Sequence, residues 1–194
     1  MDQRIVIIQG HPDPRGGHLG HALADAYAQG ASAAGHEVRR IEVAALDFPV
    51  LRTKEAWTSE ALPESLREAQ EAIGWASHVV LCFPLWLGTM PALVKAFLEQ
   101  VLRPGFAVDA QPGKPWRRTL AGRSARVVVT MGMPASIYRW FYFAHGVRGL
   151  ERNVLAFCGF GPIRQTLIGM VDGGGPARHE RLFARMRELG RQAR

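Results

Sequence analysis

Two cysteines, Cys82 and Cys158, are all the thiols in this chain of 194 residues, and no C-x-x-C or metal-ligand spacing joins them. A disulfide framework is thereby excluded, and a reduced, cytoplasmic protein is the simplest expectation. No apolar run approaches the roughly 18–20 residues that a bilayer span needs, so stable membrane insertion is not expected. The opening MDQRIVIIQGHP carries only Ile5–Ile8 as an apolar stretch before Gln9. That is short of the roughly 7–15 residues of a secretory core and reads as a strand. Also missing are the P-loop spacing G-x-x-x-x-G-K-[ST], the dinucleotide fingerprint G-x-G-x-x-G and the nucleophile elbow G-x-S-x-G. Their absence sets aside Walker-type nucleotide chemistry, a Rossmann fingerprint and a serine hydrolase. Acidic residues are in deficit, 17 against 24 basic, for a net charge of +7. The densest arginines are Arg117, Arg118, Arg123 and Arg126, and Arg178, Arg181, Arg185, Arg187, Arg191 and Arg194 of the last helix. They read first as a solvated face and second as a field that attracts phosphorylated ligands. No nucleic-acid motif accompanies them, so no nucleic-acid partner is expected.

What is present is an alternation of strands and helices without an internal repeat or linker. RIVIIQ at 4–9 and HVVLCF at 78–83 are nearly continuous apolar runs, the pattern of parallel strands covered on both faces. Residues 37–43, 125–131 and 163–169 complete five strands. Helices are expected over 19–34, with Gly35 as the stop, from Pro63 to about 76, from Pro91 to 102, and over 176–192. Residues 44–62 read as a loop with at most a helical turn, and 136–157 as partly helical with a break near His145-Gly146. Five strands separated by helices predict a doubly wound parallel sheet with right-handed crossovers. In such sheets ligands bind outside the carboxyl ends of the strands.

Three segments lie at those ends. The first is QGHPDPRGGHLGHAL, residues 9–23. Its glycines and helix start would make an anion site, or else it is a plain turn. His11, His18 and His21 with Asp13 also invite a metal reading, but their spacing matches no ligand motif, and no metal is expected. The second is Pro84-Leu85-Trp86-Leu87-Gly88, a turn of large apolar residues where a solvated loop should be polar. Either it folds back into the core, or a partner subunit covers it, or it is a platform for a flat, largely apolar ligand. The third, TMGMPASIYRWFYFAHG at 130–146, packs Tyr138, Trp140, Phe141, Tyr142 and Phe143 just before His145. A Tyr and a His at a crevice mouth can donate hydrogen bonds to developing charge; an apolar interface is the other reading. Gly173-Gly174-Gly175 reads as a flexible connection.

Together these segments resemble the NAD(P)H:quinone reductase branch of the flavodoxin-like flavoproteins, a family that also contains drug-activity modulators and ancillary oxidoreductases of potassium-efflux systems. The matching pieces are GHPDP…HAL at 10–23, GHEVR at 35–39, FPLWLGTMPALVKAFLEQVLRPGFAV at 83–108, TMGMPASIYRWFYFAHG at 130–146 and VLAFCGF at 154–160. The resemblance implies a single flavodoxin-like domain over 1–194: a three-layer α/β/α sandwich with a five-stranded parallel sheet in the order 2-1-3-4-5. It implies bound flavin, FAD or FMN, with NAD(P)H as hydride donor and a quinone-like acceptor taking two electrons in a ping-pong exchange.

By the same resemblance, His11, Arg15, His18, Leu19 and Gly20 hold the flavin phosphates. Pro84, Leu85, Trp86 and Leu87 line the ring, while Thr130, Met131, Gly132 and Met133 close around its pyrimidine end. Tyr138 and His145 fall where the family places a Tyr–His pair beside the ring. A homodimer is expected; the alternative function is a flavin-binding ancillary subunit of a membrane transporter. Relatives usually carry Ser and Asn where this chain has His18 and Gly20, so its phosphate contacts differ in detail. After Gly105-Phe106-Ala107, where some relatives supply tyrosines to a partner's pocket, this chain reads Val108-Asp109-Ala110-Gln111.

Overall fold

The computed structural model describes residues 2–109 and 116–194. Five parallel strands form one sheet: β1 (Arg4–Gln9), β2 (Glu37–Glu42), β3 (His78–Pro84), β6 (Ser124–Thr130) and β7 (Ile163–Ile168). Their order is β2-β1-β3-β6-β7, which is 2-1-3-4-5 counted along the sheet strands. A separate antiparallel pair, β4 (Val108–Asp109) and β5 (Arg117–Arg118), lies outside it and was not expected. Ala110 and Gln111 of the extension lie outside the described residues.

The alternation within each strand divides the core. Val6 and Ile8 of β1, Val79, Leu81 and Phe83 of β3, and Val127 and Val129 of β6 face one layer. Ile5 and Ile7, Val80 and Cys82, and Val128 face the other. Period-two side chains with both faces apolar require helices on both sides, which is why these strands read as continuous hydrophobic runs. On the first face lie α3 (Arg67–Trp75), α4 (Ala92–Val101) and the irregular helical stretch formed by α6 (His145–Gly149), a π-helical turn (Leu150–Leu155) and α7 (Ala156–Cys158). On the second lie α1 (Leu19–Ala33) and α8 (Gly175–Arg191). These two helices touch backbone to backbone: a Cβ on Gly30 would sit 1.9 Å from the Arg187 carbonyl oxygen, and one on Gly190 2.1 Å from that of Tyr27. Among the described residues two short α-helices remain, α2 (Lys54–Thr58) in the stretch expected as a loop with at most a helical turn and α5 (Ala135–Trp140) after β6, besides 3-10 turns at Val43–Ala45 and Glu64–Leu66.

The register brings the carboxyl ends into line. Gln9 pairs with Cys82, and Pro84 with Thr130. Edge strand β2 is mostly exposed and charged, a composition that discourages further strand pairing. Among the described residues no helix is long and apolar enough to cross a membrane.

The reading of the arginines as a solvated face needs correction at two positions. Arg126 is buried in β6, with Nη1 donating to Thr166 Oγ1 at 2.6 Å and Nε to the Arg194 carbonyl. Arg123 Nη2 donates to the Gly74 carbonyl at 2.7 Å. Both satisfy internal backbone or hydroxyl oxygens, a use that charge counting along the sequence does not reveal. Arg178 likewise clamps the carbonyls of Gly169, Met170 and Gly173, so the glycine run is tied down at its start.

Candidate active site at the carboxyl ends of the strands

Gln9, the last residue of β1, is buried and organises the first loop. Its amide nitrogen donates to the Gly20 carbonyl at 3.1 Å, and its carbonyl oxygen accepts from the His11 N–H at 3.0 Å. His11 Nδ1 in turn accepts from the Asp13 N–H at 3.1 Å, which fixes the ring proton on Nε2. Asp13 accepts from the Arg15 guanidinium and, at 3.0 Å, from His18 Nε2. Gly16 and Gly17 make the bend at φ 72° and 77°, values that would strain a residue with a Cβ. His18 is the N-cap of α1 yet gives it no side-chain cap bond, and no acid lies in the first turn. The first amides of α1 are therefore left for an outside acceptor. The imidazoles gather tightly: His11 and His18 stack with centroids 3.8 Å apart, and His21 lies 5.2 and 5.7 Å from them. Partial burial, then the charges of His18 and His21, push His11 down to about 4. Hydrogen bonds from Arg15 and then His18 hold Asp13 far below the usual carboxylate range. Among the described residues no group of His, Cys, Asp or Glu is arranged to hold a metal.

The second loop is built by backbone. Leu85 N–H donates to the Thr130 carbonyl at 2.7 Å, carrying the β3–β6 pairing one step beyond the strand. Trp86 and Thr89 then exchange both N–H···O bonds, at 2.9 and 3.0 Å. Between them Leu87 (φ 47°) and Gly88 (φ 79°) both adopt positive φ, the pattern of a tight two-residue hairpin turn. Leucine in that conformation costs about 1 kcal/mol or more. Leu87 is nevertheless fully exposed, and Trp86 is 51% exposed. The chain thus holds two large apolar side chains out on a rigid arch rather than folding them into the core.

The third segment braces that arch. The Tyr138 ring is buried, and its hydroxyl donates to the Gly88 carbonyl at 2.9 Å while accepting from the Val147 N–H at 3.3 Å. Burial pushes this phenol up. Gly146 presses on the same carbonyl: a Cβ there would lie 2.2 Å from Gly88 O and 2.8 Å from Thr89 Cα. Phe143 (φ 52°) and Ala144 (φ 49°) are both left-handed, and they turn the chain so that His145 opens α6 at the surface. Strain of about 1–3 kcal/mol at each such position persists only where the surroundings hold it.

Leu87, Gly88, Thr89, Met133, Tyr138, Tyr142, His145 and Gly146 enclose a recess of about 510 Å³. Of the expected ring-site residues, Leu87, Met133, Tyr138 and His145 meet in it. Pro84 and Leu85 form the base of the arch, and Thr130 and Met131 are buried behind it, Met131 in the core cluster. Gly132 and Met133 are on the exposed rim. Gln9, Gly88, Tyr142 and Gly146 lie inside the three segments but were not expected as site residues. Gly146 had a signal, a glycine immediately after His145 at a break in helical pattern; the buried role of Gln9 had none.

A hydrogen-bonding loop after β1, an apolar arch after β3 and a small turn after β6 define a ligand-binding α/β protein of doubly wound type. The chain belongs to the flavodoxin-like fold family, whose model matches residues 3–192. It is 32% identical over 118 residues to the human ribosyldihydronicotinamide dehydrogenase [quinone], covering 57% of this chain and 49% of that protein. It is 27% identical over 149 residues to the FMN-dependent NADH:quinone oxidoreductase of Ruegeria pomeroyi, covering 66% and 70%. In three dimensions it is similar to the NAD(P)H:quinone oxidoreductase of Methanothermobacter marburgensis, with TM-score 0.80, 21% identity, and coverage of 99% and 97%. At that identity the structural match establishes the fold. The chain spans about half the length of the human relative and 64% of that of a relative from Penicillium crustosum.

Proposed function

We propose that this protein is a flavin-dependent NAD(P)H oxidoreductase that passes two electrons to a quinone or similar electrophilic acceptor. The observation that carries the reading is the arch Trp86–Thr89, which uses backbone strain to hold apolar side chains over an open recess, on the same rim as a loop whose helix N-terminus has no side-chain cap. A flat apolar ring with a phosphorylated tail matches that pairing. A bound flavin would supply the hydride chemistry. The chain's part is to bind and orient. The His11–Gly20 loop would take the phosphate end, through the first amides of α1, His11 Nε2–H and the His18 ring. Several observations favour this fit: no side chain caps the helix, His21 Nδ1 is buried without a partner, and a Cβ on Gly10 would already meet Val94 at 2.6 Å. Trp86 and Leu87 would exclude water from one face of the ring. His145, exposed at the recess, would donate to charge developing on the ring's polar edge. Tyr138 already spends its proton on Gly88, so its first contribution is to hold the arch; donation to a ligand would require that bond to be exchanged.

The relatives' names support quinone and nicotinamide as substrates. A homodimer is part of the reading: Trp140 and Phe141 are each 73% exposed, next to half-exposed Tyr142 and Phe143, an apolar patch of the kind that marks an interface. The two cysteines, buried and unpaired, agree with a reducing, cytoplasmic setting. The test is an absorbance spectrum of the purified protein before and after anaerobic addition of NADPH or NADH. Visible flavin bands that bleach are the expected outcome. A colourless protein that takes up no added flavin would overturn the reading.

A further inference from the structure

Two arginines border the recess beside the arch. Arg139 directly follows Tyr138 in α5, and Arg148 lies three residues after His145 on α6, a spacing that puts two side chains on the same side of a helix. Tyr138 and His145 both line the recess, so each arginine is one short step outside it. Both are exposed. They also share a neighbour: Glu151, in the π-helical turn, feels the charge of Arg148 first and then of Arg139. Two guanidiniums that act on one carboxyl lie on one side of the recess.

Many arginines of this chain have an evident structural use. Arg123, Arg126 and Arg178 grip internal oxygens, and Arg40, Arg67 and Arg191 hold acids. Among the described residues neither Arg139 nor Arg148 makes a hydrogen bond or an ion pair of that kind. Glu151 neutralises them poorly: it is half-buried, burial pushes its carboxyl up, and its Oε1 is buried with no hydrogen-bond partner. Arg139 complements the end of α5, where a cation is favourable. Arg148 has no helix end to complement, because α6 runs on into the π-helical turn.

The residues that enclose the recess include no Asp, Glu, Lys or Arg. A dihydronicotinamide ring can enter such a space, but the phosphates joined to it find no cation there and must be met at the border. Arginine suits that task, since its planar fork matches a phosphate with two hydrogen bonds. We propose that Arg148 and Arg139 bind phosphate of the nicotinamide donor and so select a phosphorylated dinucleotide over a dihydronicotinamide riboside. This rests on the function proposed above and deepens it: the two arginines set which donor the recess accepts, and their exposed charge draws that donor in.

The test is anaerobic stopped-flow reduction of the flavin-loaded protein by NADPH, NADH and dihydronicotinamide riboside, which carries the same reacting ring without phosphate. The expected second-order rate of flavin bleaching is about tenfold or more higher for a dinucleotide than for the riboside, and that advantage shrinks as salt rises. Arg148→Gln cuts it about tenfold, and adding Arg139→Gln cuts it further. Arg52→Gln, which removes an exposed charge outside the recess, keeps it and controls for net charge. NADPH ahead of NADH assigns the pair to the 2′-phosphate; equal rates for the two assign it to the pyrophosphate. A riboside as fast as both dinucleotides, or an advantage retained in the Arg139→Gln/Arg148→Gln double variant, overturns the proposal while leaving the flavin reading intact. If no flavin binds, or no donor bleaches it, the function reading falls. Calorimetric titration of NADP+ and NAD+ then decides the arginine pair alone: binding weakened in the double variant supports it, and absent or unchanged binding overturns it.

Discussion

The two ends of the ligand rim are built by opposite means. At the arch, shape is fixed by backbone: Trp86 and Thr89 bonded both ways, Tyr138 and Gly146 both on the Gly88 carbonyl, and three non-glycine residues held at positive φ. At the histidine loop, shape is fixed by side chains: Gln9, His11, Asp13, Arg15 and His18 bonded in sequence, around glycines with open space beside them. A backbone-built end resists change and should answer mutation with lost stability. A side-chain-built end is exposed and titratable, and should answer with altered affinity and pH dependence at little cost to the fold.

The largest effect that could blur this contrast comes from neither end. His78, at the opposite, amino end of central strand β3, is buried, and its Nδ1 shares a 2.7 Å hydrogen bond with Ser124. Burial, then the charges of Arg126 and Arg164, pushes it down to about 4 from 6.5. Because the folded value lies below the unfolded one, the unfolded chain takes up this proton first as pH falls. Stability is therefore full above about pH 6.5 and drains away toward pH 4, by roughly 3 kcal/mol. Urea unfolding at pH 7 and pH 4.5 checks this, and His78→Gln should remove most of the difference. If the difference persists, the loop histidines carry acid sensitivity of the fold, and the two ends are less separate than described. Next in size, Gly146→Ala at the arch should cost about 2 kcal/mol by overpacking against Gly88 and Thr89, read as an unchanged urea slope with a lower midpoint. Gly16→Ala and Gly17→Ala in the loop face no such contact and are penalised through φ alone, by about 1 kcal/mol.

How much of this was legible in the sequence divides along the same line. The five sheet strands and four main helices follow from local period and punctuation, and they appear within a residue or two of their expected ends except at the start of α3, where a 3-10 turn at Glu64–Leu66 follows Pro63 and the α-helix begins at Arg67. Trp86 and Leu87 were visible as an anomaly, two large apolar residues in a turn, because composition contradicted position. The bracing was not visible. Tyr138 and Gly88 are 50 residues apart, and their bond depends on left-handed backbone at Phe143 and Ala144 that neither residue type suggests. The stacking of His11 on His18 is hidden for the same reason: spacing of seven across two glycines sets no geometry. The β4–β5 pair escaped, and α2 was foreseen only as an unplaced helical turn within 44–62, because elements of two and five residues have too few positions to show a period. Buried Arg126 escaped because its partners, Thr166 and the Arg194 carbonyl, are distant in sequence.

A finer probe of the backbone-built end is Tyr138→Phe. It deletes one donor to Gly88 and one acceptor from Val147 inside a buried site, at an expected cost of about 1–2 kcal/mol. The ring's packing survives, so fluorescence and circular dichroism should remain native. Loss of flavin affinity in step with stability would mean that Tyr138 acts by bracing the arch. Loss of turnover at full stability would mean that it gives up its bond to Gly88 and touches the ligand.

The smallest effect is the most discriminating, because its two parts have opposite signs. Leu87 sits at φ 47° with its side chain in solvent. In the protein alone it therefore contributes strain and almost no packing. Leu87→Gly should relieve that strain and raise unfolding stability by about 0.5–1 kcal/mol, less the entropy a new glycine gives the unfolded chain. The same change removes apolar surface that a bound ring would cover, worth about 1.5 kcal/mol or roughly tenfold in flavin affinity. A more stable protein that binds flavin more weakly is the outcome expected of an arch maintained for its ligand. A less stable one would mean that Leu87 already packs on something in solution, and a second copy of the chain would then be sought by measuring whether the midpoint rises with protein concentration. Unchanged flavin affinity would remove Leu87 from the ring site and leave Trp86 to cover it.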